Sequence, residues 1–254
     1  MTGIYFSGTG NTKYCVTKFT RAINENAEVF SIEDDRAVKA ITDSNFIVFG
    51  YPVYYSDIPK LERKFICKNS SVFKGKKIFI IATVMGLFSG DGAGCSARLF
   101  KKYGAQVLGG LHIKMPDCIG DVKLLKKSLD KNRKIIIKAD KKISCTAEKI
   151  QKNSYPQNGL SFLCRIAGLF GQRLYFHNKV KAYYKAIKLN KDKCVGCGIC
   201  EKNCPMHNID IVDGKAKFKD KCTICYRCFS KCPQQAITIL GNKVFEQCYV
   251  EKYL

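Results

Sequence analysis

The sequence CVGCGICEKNCP at residues 194–205 recurs as CTICYRCFSKCP at residues 222–233, twenty-eight positions further along the chain. Both runs have the spacing C-x2-C-x2-C-x3-C-P. Other residues recur at the same offset: Lys193 and Lys221, Ile209 and Ile237, and Ile211 and Ile239. An internal repeat of this kind indicates that each half is one supersecondary unit. The two runs therefore decide the fold of the C-terminal part of the chain.

The spacing of the cysteines predicts two [4Fe-4S] clusters. Such a cluster is held by four thiolates, and a C-x2-C-x2-C run turns three sulfurs toward one point, while the fourth cysteine, followed by proline, points toward the other cluster. A pair of zinc knuckles or a disulfide framework is the alternative, because C-x2-C pairs also bind zinc. Two identical quartets, each closed by proline and without a secretion signal, favour the clusters.

This run resembles the bacterial two-cluster ferredoxins, in which the fourth cysteine crosses to the other cluster. The resemblance implies a first ligand set and a second ligand set for this chain. The first set is Cys194, Cys197, Cys200 and Cys232. The second set is Cys222, Cys225, Cys228 and Cys204.

Residues 1–150 alternate short apolar runs with helical stretches. The runs at residues 3–6, 28–32, 46–50, 77–84 and 105–113 predict five buried strands. Helices are expected to start near Asn11, Asp34, Ile58 and Gly92, with a long lysine-rich helix over residues 121–150. This alternation predicts a parallel sheet covered on both faces, with ligands at the carboxyl ends of the strands.

The sequence SGTGNT at residues 7–12 follows the first strand and precedes an apolar-periodic helix. Glycines that turn N–H groups inward, hydroxyl groups and a helix N-terminus together favour a phosphate site. The sequence is not a Walker A loop, and a dinucleotide fingerprint would need glycine where Lys13 stands. A hydrolase elbow would need glycine in place of Tyr5. The alternative is an ordinary helix-capping turn.

Residues 7–12 resemble the flavodoxin signature S/T-x-T-G-x-T, and two later loops extend the similarity. GYPVYY at residues 50–55 resembles the flavodoxin loop whose aromatic residue covers the flavin, with Tyr54 at the stacking position and Tyr51 or Tyr55 as alternatives. TVMGLFSGDGAG at residues 83–94 stands in place of the second flavin loop. The resemblance implies that FMN is bound by Ser7, Gly8, Thr9, Gly10, Asn11, Thr12, Pro52, Val53, Tyr54, Tyr55, Gly86 and Phe88.

Composition restricts the partners of the protein and its compartment. The 254 residues carry 44 Lys and Arg against 21 Asp and Glu, a formal net charge of +23, which is expected to attract an acidic redox protein. No nucleic-acid-binding signature is present. Fifteen cysteines without an apolar leader predict a reducing, cytoplasmic location, and oxygen-sensitive clusters suggest an anaerobic host.

The predicted organisation has four parts. Residues 1–150 form the flavodoxin-like domain, residues 151–190 a basic amphipathic connector, residues 191–241 the cluster domain, and residues 242–254 a tail. The connector has seven basic and no acidic residues, and it is too short and interrupted to span a bilayer. Its apolar face is expected to dock the two domains together, with weak peripheral membrane contact as the alternative.

Both halves together resemble the flavodoxin-ferredoxin fusion proteins of anaerobic microbes. The predicted fold class is α/β, a flavodoxin-like doubly wound five-stranded parallel sheet with a small α+β two-cluster ferredoxin domain. The resemblance implies electron transfer between the two clusters and FMN, linking a low-potential donor to a redox partner in either direction. One alternative is a flavin reductase acting on a small organic molecule, although no residue stands out as a proton donor. A redox or iron sensor is the second alternative.

Overall fold

Five parallel strands form one sheet in the N-terminal part of the protein. A computed structural model describes residues 1–86, 90–176, 182–183 and 185–254. The strands are β1 (Thr2–Tyr5), β2 (Val29–Ser31), β3 (Phe46–Pro52), β4 (Lys77–Val84) and β5 (Gln106–Lys114). Their order is β2-β1-β3-β4-β5. The predicted doubly wound sheet is confirmed, and the order reverses between β1 and β3, where ligands of such sheets bind.

Helices cover both faces of this sheet. They are α1 (Asn11–Ile23), α2 (Arg36–Asp43), α3 (Lys60–Lys68), α4 (Gly92–Lys102) and α5 (Leu129–Gln151). Because β4 is covered on both faces, its sequence KIFIIATV is a continuous apolar run, and seven of its eight residues are buried. One core lies under α2, α3 and α4, and the other lies under α1 and α5.

The long helix α5 starts later than the sequence predicts. It begins at Leu129, where the Ser128 hydroxyl caps the N–H of Lys131, rather than at Asp121. Asp121 is fully buried in the preceding loop, and its carboxylate binds the C-terminal part of the chain. A long-range contact therefore keeps residues 121–128 out of the helix.

The C-terminal part consists of short elements arranged as two similar halves. They are β6 (Lys188–Leu189), α7 (Ile199–Lys202), β7 (Ile209–Val212), β8 (Lys215–Phe218), α8 (Arg227–Lys231) and β9 (Ile237–Thr238). Strand β6 pairs with β9, and β7 pairs with β8, both antiparallel. Strand β6 lies within the predicted connector. The predicted small α+β arrangement is confirmed.

The tail and the connector differ in how they pack. The tail returns to the sheet domain, where Val250 and Tyr253 are buried and the Val250 N–H bonds the carbonyl of Thr9 at 3.0 Å. In the connector, a helix α6 (Phe162–Gly168) continues into a π-helical turn at Leu169–Arg173. Large apolar residues of this helix, such as Phe162 and Leu163, are exposed. Elsewhere in the connector, Leu160 packs against the core of the sheet domain, and Tyr183 and Ile187 pack against a core of the C-terminal part. Among the helices of the described ranges, none has the length and apolar character needed to cross a membrane.

Candidate functional site

The eight cysteines of the repeat gather around two separate apolar cavities. Three cysteines of the first run and the fourth cysteine of the second run line one cavity: Cys194, Cys197, Cys200 and Cys232. The other four line the second cavity: Cys204, Cys222, Cys225 and Cys228. These are the two sets that the ferredoxin resemblance implies. Aliphatic side chains such as Ile209 and Ile237 complete the walls and restrict water.

The backbone repeats the same unusual turns in both halves. Six residues have a left-handed φ and form three pairs at the offset of the repeat: Gly196 and Ile224, Gly198 and Tyr226, and His207 and Gln235. Left-handed backbone is costly for a bulky or β-branched residue. Ile224 and Tyr226 therefore occupy turns that glycine makes without strain in the first half, and the surrounding contacts must hold them there.

Backbone N–H groups point at three of the cysteine sulfurs. The Asn208 N–H lies 3.3 Å from the sulfur of Cys204, and the Ala236 N–H lies 3.4 Å from the sulfur of Cys232. The Ile224 N–H lies 3.3 Å from the sulfur of Cys222. Such bonds favour a charged sulfur and tune the potential of an iron-sulfur cluster.

Each quartet fits a cluster better than a single ion. Within the described ranges no three His, Cys, Asp or Glu side chains converge closely enough to hold one metal ion. Four thiols spread around an apolar cavity suit a cubane, because its irons occupy separate corners. Burial raises the pKa of the Cys225 thiol to about 12 and that of Cys228 well above its ordinary value. Iron must therefore displace protons when it binds.

The residues of the phosphate loop fit an anion. Helix α1 starts directly after Gly10, which has a φ of 91°. The Ser7 Oγ and the Asn11 Oδ1 are buried and have no hydrogen-bond partner among the described residues. Buried polar atoms are normally paired, and the Ser7 hydroxyl can donate to an anion, whereas the Asn11 Oδ1 is an acceptor and the Asn11 amide group already donates to the Pro116 carbonyl. The Thr12 hydroxyl is held instead by the Thr83 hydroxyl at 2.8 Å.

Two adjoining cavities continue from this loop. The first is lined by residues of the loop together with Pro52, Val53, Tyr54 and Thr83. The second has a volume of about 560 Å³ and includes Val53, Tyr54, Tyr55 and Gly86 from the two predicted flavin loops. Phe88 lies outside the described residues. The three loops are thus brought to one edge of the sheet, as a flavin site requires.

The three tyrosines of the first flavin loop have different surroundings. Tyr51 is fully buried in the core, and its hydroxyl donates to the Gly92 carbonyl at 2.6 Å, so it is wrong as an alternative stacking residue. Tyr55 packs its ring 4.4 Å from that of Phe176. Tyr54 lines both cavities, and desolvation, with the thiol of Cys225 next, raises its pKa well above the ordinary value.

The cavity at the phosphate loop and the second cysteine cavity share Cys225 as a wall residue. The carbonyl oxygen of Cys225 lies directly against Gly8. Beside it, Arg227 donates to the Ser7 carbonyl at 2.7 Å and forms a two-pronged ion pair with Glu33 at 2.7 Å. One backbone segment therefore separates the cluster site from the phosphate loop.

Sequence reasoning missed the residues that join the two domains. Asp121 accepts the Tyr226 hydroxyl at 2.9 Å on one carboxylate oxygen. Its other oxygen accepts the backbone N–H groups of Ile239, Leu240 and Gly241. The two cysteine runs differ at two positions, where Tyr226 and Arg227 replace Gly198 and Ile199. This difference could have indicated that Tyr226 and Arg227 have contacts that the first run lacks. The sequence around Asp121 contains no pattern that predicts these contacts.

Asp117 is a second missed residue. It lines the larger flavin-side cavity with Lys126 and Lys127, and its Oδ1 accepts the Ile119 N–H at 2.8 Å. Burial raises the pKa of this carboxyl. A carboxyl with a raised pKa in such a cavity is suited to proton transfer. The sequence alone did not single out this carboxyl.

The class of protein follows from two features: cysteine quartets around apolar cavities and a glycine-rich loop at the switch point of a parallel sheet. Comparison with known families gives the particular domains: the chain has an N-terminal flavodoxin domain, matched over residues 4–97, and a C-terminal 4Fe-4S dicluster domain, matched over residues 193–237. These two domains indicate electron transfer in a flavin and iron-sulfur protein.

Several solved structures are similar to the N-terminal part. The two-electron reduced flavodoxin of Megasphaera elsdenii is 24% identical, with 44% of this chain and 85% of that chain covered and a TM-score of 0.40. A flavodoxin of Fusobacterium nucleatum bound to flavin mononucleotide is 18% identical, covering 60% and 98%, with a TM-score of 0.42. A flavodoxin from Archaea is 19% identical, covering 59% and 99%, with a TM-score of 0.41. No curated protein matched the chain.

Proposed function

We propose that the chain holds two [4Fe-4S] clusters and one FMN and transfers electrons between them, linking a low-potential donor to a redox partner. The observation that carries this proposal is the position of Cys225, which lines both the second cysteine cavity and the cavity at the phosphate loop. Clusters carry one electron at a time, whereas a flavin carries one or two. Electrons can pass in either direction through so short a separation.

The two quartets are the proposed cluster ligands. Cys194, Cys197, Cys200 and Cys232 hold the cluster farther from the flavin loops. Cys204, Cys222, Cys225 and Cys228 hold the nearer one, and Thr223 and Tyr226 extend from its cavity to the flavin-side cavity. Residues 7–12 bind the flavin phosphate, and the loops after β3 and β4 bind the ring.

The charge of the protein supports an acidic redox protein as the partner. Two oxidised clusters with their thiolates and a flavin phosphate together contribute about −6, which leaves most of the formal charge of +23. A strongly basic surface raises the association rate with an acidic partner and makes that rate sensitive to salt.

One observation favours direct reduction of a small organic molecule as the second candidate. The flavin-side cavity brings Lys126, Lys127 and the carboxyl of Asp117 to the same wall. The lysines attract an anionic group, and Asp117 can supply a proton beside the flavin. Such a reductase would turn over small anionic acceptors without a protein partner.

The cofactor content of protein purified without oxygen tests the proposal first. We expect about eight irons, eight sulfides and one FMN per chain. Cys200→Ala and Cys228→Ala should each lose about half of the iron, because each removes a ligand from a different quartet. Cys67→Ala and Cys145→Ala, at exposed cysteines outside the repeat, should keep it all. Eight irons without flavin would refute the FMN assignment.

Reduced protein then separates the two candidate functions. A carrier should reduce an acidic ferredoxin rapidly at low salt and a basic c-type cytochrome slowly, and it should reduce small quinones or nitroaromatic acids poorly. A reductase should show the opposite preference, and Asp117→Asn should lower its turnover by about 10²-fold. If Asp117→Asn leaves both activities unchanged, the carboxyl has no role in either.

A further inference from the structure

The connector helix exposes a continuous apolar face. Five large side chains between residues 162 and 175 are each 56–75% exposed: Phe162, Leu163, Phe170, Leu174 and Tyr175. Ile166 and Leu169 extend the same face at 41% and 38% exposure. These positions follow helical spacing, so they form one stripe. Contiguous apolar stripes on a protein surface mark interaction sites.

Two polar residues that follow this helix, Gln172 and Arg173, face inward, whereas Arg165 within it is exposed. Arg173 forms an ion pair with the buried Asp91 at 2.9 Å and donates to the sulfur of Cys95 at 2.9 Å. Gln172 accepts the Ser56 hydroxyl at 2.5 Å. Arg98 binds the same carboxylate from helix α4. The segment thus turns Gln172 and Arg173 toward the domain and leaves its large apolar side chains in solvent.

These contacts prevent the helix from turning its apolar face inward. Gly168 packs against Asp91, where a Cβ would lie 2.9 Å from the backbone nitrogen of Asp91. Removing Arg173 from Asp91 would leave a buried carboxylate with one cation fewer, which is costly. The exposure of Phe162, Leu163 and Phe170 is therefore built into the fold of the domain.

Charge indicates what covers this face. Residues 151–190 contain seven basic residues and no acidic residue, and the whole chain has a net charge of +23. Two copies of so basic a chain repel each other, which disfavours self-association through the stripe. Helices that place Phe, Leu and Tyr beside basic residues lie in the interface of anionic membranes.

We propose that residues 162–175 bind the surface of an anionic lipid bilayer, with the helix in the plane of the interface and its apolar stripe among the acyl chains. This attachment goes beyond the proposed electron transfer and does not depend on it. The helix lies on the membrane and does not cross it. Binding should need both the stripe and the positive charge.

The holoprotein provides a direct test, because the chain contains no tryptophan. Phe170→Trp introduces the only tryptophan of the chain into the stripe, and excitation at the red edge of its absorption separates its emission from that of the tyrosines. Its emission should shift to the blue with vesicles of phosphatidylcholine and phosphatidylglycerol, and much less with phosphatidylcholine alone. Cosedimentation of the unmodified protein should give the same preference and should weaken at high salt.

Matched variants separate the stripe from charge alone. A triple variant, Phe162→Gln, Leu163→Gln and Phe170→Gln, should bind anionic vesicles at least about tenfold more weakly. Leu129→Gln, Ile137→Gln and Leu254→Gln, at residues 41–60% exposed elsewhere, should bind normally. Unchanged iron and flavin content verifies that both variants fold.

Three results would overturn the proposal. One is a failure of the unmodified protein to bind either kind of vesicle. Another is undiminished binding by the stripe variant, which would mean that charge alone is responsible. The third is self-association, or binding to a protein partner, that the stripe variant abolishes while vesicles remain unbound.

Discussion

Gly8 of the phosphate loop and Cys225 of the second cysteine run are in direct contact, with the Cys225 carbonyl oxygen in the space that a side chain at residue 8 would occupy. The second cysteine run thus covers the loop at residues 7–12, which we propose as the flavin phosphate site. A substitution that displaces the Cys225 backbone is therefore expected to alter both proposed cofactor sites.

Gly8→Ala is expected to weaken both sites. The added methyl group must move the Cys225 backbone, and such overpacking costs about 1–3 kcal/mol. We expect a lower melting temperature and weaker FMN retention, measured anaerobically by thermal unfolding and by flavin release. Gly75→Ala is the control: no atom lies within 4 Å of a Cβ there, but its φ of 75° strains any side chain, so the variant should lower the melting temperature and leave FMN retention unchanged. Equal FMN retention by both variants would contradict the assignment of this contact.

Asp121→Ala should loosen the C-terminal domain. The substitution leaves the Tyr226 hydroxyl and three backbone N–H groups without their acceptor, which costs at least about 3 kcal/mol. Tyr226→Phe should cost less, about 1–2 kcal/mol. Hydrogen exchange at residues 239–241 and the melting temperature measure both effects. Asp192→Ala, at an exposed aspartate, should change neither; equal protection in all three variants would refute the role of Asp121.

The ion pair of Arg227 and Glu33 should contribute measurably to domain attachment. Its two bonds of 2.7 Å are two-pronged and largely shielded from solvent, so a double-mutant cycle with Arg227→Met and Glu33→Gln should give a coupling of about 1–2 kcal/mol. Lys39 and Asp43 form an exposed pair on α2, where the same cycle should give less than about 0.5 kcal/mol. Similar coupling energies for the two pairs would show that shielding from solvent and two-pronged geometry do not strengthen the pair of Arg227 and Glu33.

Glu62 should make the protein less stable as pH rises. It is fully buried, both carboxyl oxygens lack a hydrogen-bond partner among the described residues, and burial, with the nearby Glu33, raises its pKa well above the ordinary value. The folded protein favours the neutral carboxyl of Glu62. The stability that this carboxyl contributes is therefore complete below the pKa that it has in the unfolded chain, and it is lost as pH rises toward the higher pKa that it has in the folded protein.

Glu62→Gln therefore should raise the melting temperature, and its advantage should grow between about pH 5 and pH 8, by at most about 1.4 kcal/mol per pH unit. The phenols of Tyr51 and Tyr54 are close enough to sense the same charge. Thermal unfolding at several pH values measures the difference. Glu148→Gln, on the exposed side of α5, should show no such trend. A constant difference between wild type and Glu62→Gln would refute the buried charge.

The sheet was predictable because its apolar runs are local and periodic, and the grouping of the cysteines into two sets came from the resemblance to two-cluster ferredoxins. The apolar run of β4 has the predicted bounds, and the repeat fixes which turns recur. The start of α5 at Leu129 was not predictable, because it depends on the long-range hydrogen bonds of Asp121 with residues 226 and 239–241. The outward apolar face of α6 was predicted to point inward, since the ion pair of Arg173 with Asp91 is invisible in the sequence.

Gln172 and Phe176 of the connector form part of the wall of the flavin-side cavity, and Phe176 packs on Tyr55. The helix that presents the apolar stripe is thus also a side of the cavity. Where occupancy of that cavity and attachment of the stripe are coupled through this segment, thermodynamic linkage makes the coupling free energy the same in both directions. Attachment changes the affinity of the cavity by the same factor as filling the cavity changes attachment.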